Sequence, residues 1–404
     1  MEKSCPDHGR TIDLLCPDPE TYLRLREAPR LPQTPSSYRS PVREGCPSDC
    51  GLCPGHEQHT CLAILEVTDR CDLGCPFCIA ASTRKGRDIS LAQARSALEA
   101  LIESQGSPVA LQLSGGEPTL HPRLVEIVSL ASSLGFSRLE IDTNGLSLAG
   151  ETDLPGRLRD AGLRGVYLQM DGPTPEAHLR IRGRNLLEEK ISAVEACLKA
   201  GLQVVLAVTV VGGLNDHLLW DMVLFGVERG LTGVSFQAVA LSGRVPRRLE
   251  RRTSRFTLGH FIHAMEAQSR GRIRSSDIIP IPCPDTRCAA VSYLLVDRGE
   301  VVPLTRILGV EELLPLAAGL SDWEEVIRRF NGPCSGTGCC PQAQIVLPLE
   351  GTDFFCIAFH GMMDPWNIDL ERTRRCCVHA LTPRGRLTPF CLHRIRRTLR
   401  APSE

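Results

Sequence analysis

Cys71-Asp72-Leu73-Gly74-Cys75-Pro76-Phe77-Cys78 follows directly on the apolar run LAILEVT, residues 62–68. The run reads as a strand, and the C-x3-C-x2-C loop with its Gly and Pro reads as the turn that leaves it. Three thiolates from one loop can bind three irons of a cubane cluster and leave the fourth iron without a protein ligand. A zinc knuckle, the competing reading, wants four ligands in a tetrahedral shell. A reactive loop at the C-terminal end of a strand is where a βα barrel carries its site. The fold therefore turns on whether further βα units follow.

They do. Strands are expected near Leu62–Thr68, Ala110–Ser114, Ser137–Asp142, Val166–Met170, Gln203–Val210 and Gly233–Val239. Between them run helical patterns: Leu91–Glu103 behind an N-cap Ser90, His121–Leu134 ending on Gly135, Leu186–Ala200 closed by Gly201, and Asp216–Arg229 closed by Gly230. Alternation of this kind predicts an α/β fold, a partial (βα)6 barrel with parallel strands. Cysteine-rich segments flank it, giving a division into 1–61 (N-terminal metal-binding region), 62–270 (barrel) and 271–404 (auxiliary-cluster region, expected to be irregular). The Pro/Ser/Arg stretch LPQTPSSYRSPVR reads as a linker.

Polar and small residues gather at the expected strand ends. The second strand ends in Ser114-Gly115-Gly116-Glu117-Pro118, the third in Asp142-Thr143-Asn144-Gly145, the fourth in Gln169-Met170-Asp171-Gly172, and the fifth in Val211-Gly212-Gly213-Leu214-Asn215. The cysteine triplet, its order and the GGE motif behind it resemble the radical S-adenosylmethionine (SAM) superfamily. The resemblance implies a 4Fe-4S cluster on Cys71, Cys75 and Cys78, SAM chelating the open iron, and reductive cleavage to a 5'-deoxyadenosyl radical. It assigns Phe77, Gly115, Gly116, Glu117, Thr143, Asn144, Gln169 and Asp171 to the SAM site. A flavodoxin- or ferredoxin-type electron donor is implied as well. The fifth-strand exit is either part of the adenine pocket or a plain turn.

The chain holds 19 cysteines, and most lie outside the triplet. In a reducing compartment clustered thiols bind metal far more often than they form structural disulfides. Cys46-x3-Cys50-x2-Cys53 repeats the triplet spacing ahead of the first strand, with Cys61, Cys5, Cys16, His8 or His56 to complete an auxiliary cluster or a mononuclear zinc or iron site. Downstream, Cys283, Cys288, Cys334, Cys339, Cys340, Cys356, Cys376, Cys377 and Cys391 supply ligands for one or two auxiliary 4Fe-4S clusters. One member of each adjacent pair, 339/340 and 376/377, is expected to be a packing thiol, and Cys197 a core thiol. Segments such as GCPSDCGLCPGHEQHT and FHGMMDPWNIDLERTRRCCVH resemble the archaeal tetraether lipid synthase branch and its relatives described as pterin methylases. That likeness implies hydrogen abstraction from a lipid chain with carbon–carbon coupling. Methylation of a pterin-like molecule, or peptide maturation, is the alternative. His360 and the Asp364-Pro365-Trp366-Asn367 segment would line the substrate site by the same likeness.

Composition narrows the partners. The 46 basic and 47 acidic side chains leave a formal charge of -1, so no global field favours nucleic acid. Basic runs at 244–255 and 393–397 are either solvated or grips for phosphate head groups, which makes peripheral membrane contact an expectation. No apolar run approaches the roughly 18–20 residues of a membrane span. The N-terminus carries no apolar leader pattern, so the cytoplasm is the expected location. A non-catalytic iron-sulfur or zinc protein is the reading from outside enzymology, and the intact GGE motif weighs against it.

Overall fold

The computed structural model describes residues 1–7, 9–246, 255–318 and 352–400. Strands β1 (Glu2–Cys5) and β2 (Gly9–Ile12) form an antiparallel hairpin. The next six, β3 (Leu62–Thr68), β4 (Ala110–Gly115), β5 (Leu139–Thr143), β6 (Gly165–Gln169), β7 (Gln203–Val210) and β8 (Gly233–Ala238), lie side by side in chain order, all parallel. This is the expected partial barrel, with β3 and β7 falling on their predicted bounds.

Each crossover forms for a local reason. Ser90 Oγ accepts from the Gln93 amide at 3.2 Å while Gln93 returns a bond to the Ser90 amide, a capping box that opens helix Leu91–Gln105. Gly106, at φ 80°, closes it with an amide bond to the Ile102 carbonyl. Ala94, Ala97, Leu98 and Leu101 recur at helical spacing and are buried together with Leu111 and Leu113 of β4. Each such leucine contributes about 1.5–3 kcal/mol by leaving water. The expected helix over 121–134 is shorter, Leu124–Ser133, because Pro118–Leu120 forms a 3-10 turn first.

Residues beyond 271 are not irregular. Strands β9 (Ile279–Pro280), β10 (Ala289–Asp297), β11 (Glu300–Pro303), β12 (Thr352–His360), β13 (Val378–Leu381) and β14 (Leu387–Pro389) join the same sheet. Strand β12 pairs parallel with β8, and β13 pairs parallel with β3, so the six-strand array gains a parallel neighbour at each edge. Strand β12, TDFFCIAFH, is a short run whose apolar character gives no period by which to tell strand from helix. Helix Phe390–Arg400 follows β14. No helix among the described residues is long and apolar enough to cross a membrane.

Alternation along the strands places two different faces. Leu111, Leu113, Leu139, Ile141, Val166, Leu168, Val234 and Phe236 are buried under the helices. Their alternates, Gln112, Ser114, Glu140, Asp142, Tyr167, Gln169, Ser235 and Gln237, share the opposite face. Gln237 Nε2 on β8 donates to Tyr167 Oη on β6 at 3.0 Å, passing over β7. Strands two apart stand about 9.5 Å from each other in a flat sheet, so this face is concave and is the inner face of the barrel.

Candidate active site and thiol clusters

The loop 71–78 leaves β3 at its C-terminal end. Cys71 and Cys75 are buried and Cys78 is half-buried. Two backbone bridges fix the loop, one between Arg70 and Thr83 and one between Cys78 and Arg244. Arg244 adds bonds from its guanidinium to the carbonyls of Cys75 (2.8 Å) and Ser82 (2.6 Å). The Cys71 thiol is pushed up to about 12, by burial first, with the Leu73 amide opposing and the charges of Glu117 and Asp72 adding to the rise. A thiolate there needs a cation to sustain it, as a bound iron centre provides.

The loop after β4 presses against this one. Gly115 sits at φ +131°, and a Cβ on it would come within 2.1 Å of the Thr68 carbonyl oxygen. A Cβ on Gly116 would meet the Arg70 oxygen at 2.2 Å. Only glycine permits this approach. Glu117 Oε1 accepts from the Thr119 amide (3.0 Å), Thr119 Oγ1 (2.6 Å) and Thr143 Oγ1 (2.6 Å), and Oε2 accepts from the Asn144 amide (2.7 Å). The carboxylate thereby ties the β4 loop to the β5 loop. Asn144 Nδ2 in turn donates to Asp72 Oδ1 at 2.7 Å, which links both to the cysteine loop.

A second network continues from β6. Asp171 is fully buried and takes a two-point bond from Arg182, Nε to Oδ2 at 2.6 Å and Nη2 to Oδ1 at 2.9 Å. It also accepts from Gln169 Nε2 (2.6 Å) and the Thr209 amide (3.0 Å). Arg182 reaches on to the Phe77 carbonyl, and Phe77 packs with Ile181 and Val211. Lys190, with no exposed surface, donates to Gln169 Oε1 at 2.9 Å and to the Asn144 carbonyl. Burial, reinforced by the charge of Arg182, pulls its ammonium down to about 8. Asn215 spends its side chain on the Val211 amide and the Asp171 and Thr209 carbonyls, so the fifth-strand exit is a capped turn.

A model of the Radical SAM superfamily matches residues 65–226. The 7,8-dihydro-6-hydroxymethylpterin dimethyltransferase of Methanocaldococcus jannaschii is 31% identical over 450 residues, covering 97% of this chain and 88% of that protein. The chain belongs to the radical SAM superfamily. A probable GTP 3',8-cyclase of Methanothermobacter marburgensis is 33% identical over 168 residues, 41% of this chain and 53% of the relative. Among solved structures, SuiB of Streptococcus suis bound to S-adenosylmethionine is similar with a TM-score of 0.44 and 14% identity, over 53% of this chain and 48% of that one.

As a radical SAM protein the chain is an enzyme, and its triplet fits the cluster the superfamily carries. Cys71, Cys75 and Cys78 all leave one loop, two of them buried, and each thiolate would serve a separate iron. When bound, the cluster and SAM together supply a 5'-deoxyadenosyl radical.

The remaining thiols sort themselves through space. Cys61, Cys283 and Cys377 bring their sulphurs within 4.8 Å of one another, and the Cys283 and Cys377 sulphurs are 3.8 Å apart. A tetrahedral shell with metal–sulphur bonds of 2.3 Å has edges of about 3.8 Å. His59 Nε2 lies 3.7 Å from Cys61 Sγ. Hydrogen bonds from Cys377 and then Cys61 pull the Cys283 thiol below the usual range. Cys61 is thus placed apart from Cys46, Cys50 and Cys53, which instead line a pocket with His56, Thr373 and Arg374. The adjacent pair 376/377 splits between two groups. Cys377 joins the tight trio, while Cys376 lies close enough to Cys288 and Cys391 for their charges to bear on it. Arg372 Nε donates to Cys288 Sγ at 3.0 Å.

Cys5 stands at the end of β1, and Cys16 lies beside Gly259. Cys356, on β12 opposite Tyr293, borders a small apolar cluster, and Cys197 is a core thiol. His8, Cys334, Cys339, Cys340 and residues 247–254 lie outside the described residues. Asp364 is taken by Arg255 at 3.0 Å, while His360 ends β12 on the inner face. Lys190, Arg182, His59 and Arg394 escaped the reading of motifs. Lys190 alone left a signal: it occupies the buried stripe of its helix with Ala193, Val194 and Cys197.

Proposed function

We propose that this radical SAM enzyme is a methyltransferase of a pterin-like small molecule. The observation that carries the reading is the polar inner face, where Gln112 Nε2 donates to Glu140 (2.7 Å), Ser114 Oγ to Asp142 (2.9 Å) and Gln237 to Tyr167 (3.0 Å). A ring rich in N–H and carbonyl groups matches such a wall. An alkyl chain would offer no donor to the Glu140 and Asp142 oxygens that these bonds leave free, at a cost of several kcal/mol. The near full-length relative named as a pterin dimethyltransferase supports the same substrate. Carbon–carbon coupling on a lipid chain is the weaker reading.

In this proposal Cys71, Cys75 and Cys78 hold the catalytic cluster. Phe77, Gly115, Gly116, Glu117, Thr143, Asn144, Gln169 and Asp171 build the SAM site. Cys46, Cys50 and Cys53 hold one auxiliary 4Fe-4S cluster, and Cys288, Cys376 and Cys391 a second. Cys61, Cys283 and Cys377, with His59, hold a mononuclear zinc or iron. A flavodoxin- or ferredoxin-type protein delivers the electron in the cytoplasm. The membrane contact expected of the basic runs has little to support it. Arg397 reaches Glu66 and Asp69, and Arg396 the carbonyls of Pro47 and Ser48.

The test is anaerobic reconstitution, reduction, and incubation with SAM and either 6-hydroxymethyl-7,8-dihydropterin or an isoprenoid glycerolipid. A pterin product heavier by one or two methyl groups, with 5'-deoxyadenosine above the substrate-free rate, is expected. Product from the lipid alone, or from neither, overturns the proposal.

A further inference from the structure

The inner face carries hydrogen-bonding capacity that its own bonds leave unused. Glu140 receives Gln112 on Oε1, while Oε2 has no donor among the described residues. Oε2 lies over Gly165 on the neighbouring strand, 3.7 Å from where a Cβ would stand. Asp142, two residues on and on the same face, receives Ser114 on Oδ2 alone. The spacing of a strand sets the two carboxylates roughly 6.5 Å apart, about the length of a fused bicyclic ring.

Across from them stands an arginine. Arg394 belongs to helix Phe390–Arg400, which Thr398 joins to the Gly243 amide beyond β8 and Arg397 joins to Asp69 beyond β3. Thr398 and Arg397 thus hold the helix against the C-terminal ends of both edge strands of the six-strand array. The Arg394 side chain is 2% exposed, and its Nη2 meets Glu66 Oε1 on the inner face of β3 at 2.7 Å. Its charge also acts on Asp142. Yet Nε and Nη1 are buried with no hydrogen-bond partner among the described residues. Two buried guanidinium donors cost several kcal/mol unless something fills them.

We propose that Glu140, Asp142 and Arg394 are specificity-determining residues that together read the edge of a 2-amino-4-oxopyrimidine ring, the ring common to pterins and guanine. The assignment rests on the pterin-type reading of the site. Such a ring presents its amino N–H and ring N–H side by side, a pair that one carboxylate accepts with both oxygens. Its carbonyl oxygen and the next ring nitrogen form an acceptor pair. Glu140 takes the N–H pair, one on the free Oε2 and the other on the second lone pair of Oε1 beside Gln112. Arg394 donates one of its unpartnered N–H groups to the carbonyl oxygen and offsets the charge of Asp142, which receives a further ring N–H.

The test compares two probes on the cluster-loaded enzyme under anaerobic conditions: 6-hydroxymethyl-7,8-dihydropterin and its analogue with a 2-oxo group in place of the 2-amino group. Wild type is expected to favour the amino compound at least roughly tenfold in Kd, the size of one charge-assisted hydrogen bond. Glu140→Gln should erase that preference, and Arg394→Lys should weaken both probes about tenfold or more. Iron content and the visible cluster spectrum report whether each variant is folded. If Glu140→Gln does not load its clusters, Glu140→Ala supplies the comparison, with the preference again expected to fall. A loaded variant at position 140 that keeps the wild-type preference, or a loaded Arg394→Lys that binds both probes as wild type does, overturns the residue assignment while methyl transfer to the pterin stands. Wild type that binds neither probe overturns the function itself and the assignment with it.

Discussion

Burial pushes the Glu140 carboxyl up to about 7, with the charge of Asp142 adding to the rise and the Gln112 hydrogen bond opposing it. Its unfolded value is 4.5, so between roughly pH 4.5 and 7 the folded chain binds more protons at this position than the unfolded one. Stability then falls as pH rises through that window. The ionised group costs about 3 kcal/mol once the pH exceeds 7. Glu140→Gln removes the cost. The thermal midpoint of the cluster-loaded variant should match wild type near pH 4.5 and exceed it by a few degrees near pH 8. Equal midpoints at both pH values would show that the carboxyl is not desolvated. The charge is retained, on the proposal above, for a ligand that needs an acceptor.

At the scale of elements, two substitutions separate stability from cofactor binding. Ser90→Ala removes a capping box whose side-chain bonds involve only Ser90 and Gln93, and should lower stability by about 1 kcal/mol. Its SAM affinity should be unchanged. Gly115→Ala places a Cβ against the Thr68 carbonyl at a φ only glycine adopts readily. That change should move the β4 loop off β3 and weaken SAM binding more than tenfold, read by equilibrium dialysis on the reconstituted protein. Unaltered SAM binding in Gly115→Ala would overturn the close-approach argument. These local elements were legible in the sequence because their signals are local: Ser90, Gly201 and Gly230 mark helix ends by chemistry that acts over one turn. Lys190 was legible only through its place in the stripe with Ala193, Val194 and Cys197, because beside Glu188 and Glu189 it otherwise reads as surface charge.

The whole molecule decides how the thiols divide. Spacing along the chain grouped Cys61 with Cys53 and treated Cys377 as spare. The fold joins both to Cys283 because β13 runs beside β3, with the Cys61 amide bonded to the Cys377 carbonyl at 2.8 Å. Pairing across more than 300 residues leaves no trace in local pattern. Cys283→Ser should therefore lower the metal content by about one ion and leave cubane iron in place. Changing Cys46, Cys50 and Cys53 to Ala should remove about four irons. Loss of four irons from Cys283→Ser would mean that this trio serves a cluster.

The placement of β12 and β13 at the two edges of the array also bears on how the chain is made. During synthesis the β3 and β8 edges stay bare until residues 352–381 leave the ribosome, a delay on the order of ten to thirty seconds. Bare strand edges recruit foreign strands. A fragment ending near Arg270 should therefore collect in aggregates, whereas the full chain stays in solution, a difference visible by sedimentation after expression. The last quarter of the polypeptide would act as an internal chaperone for the barrel it follows, and yield of the enzyme would be governed by its slowest-arriving strands.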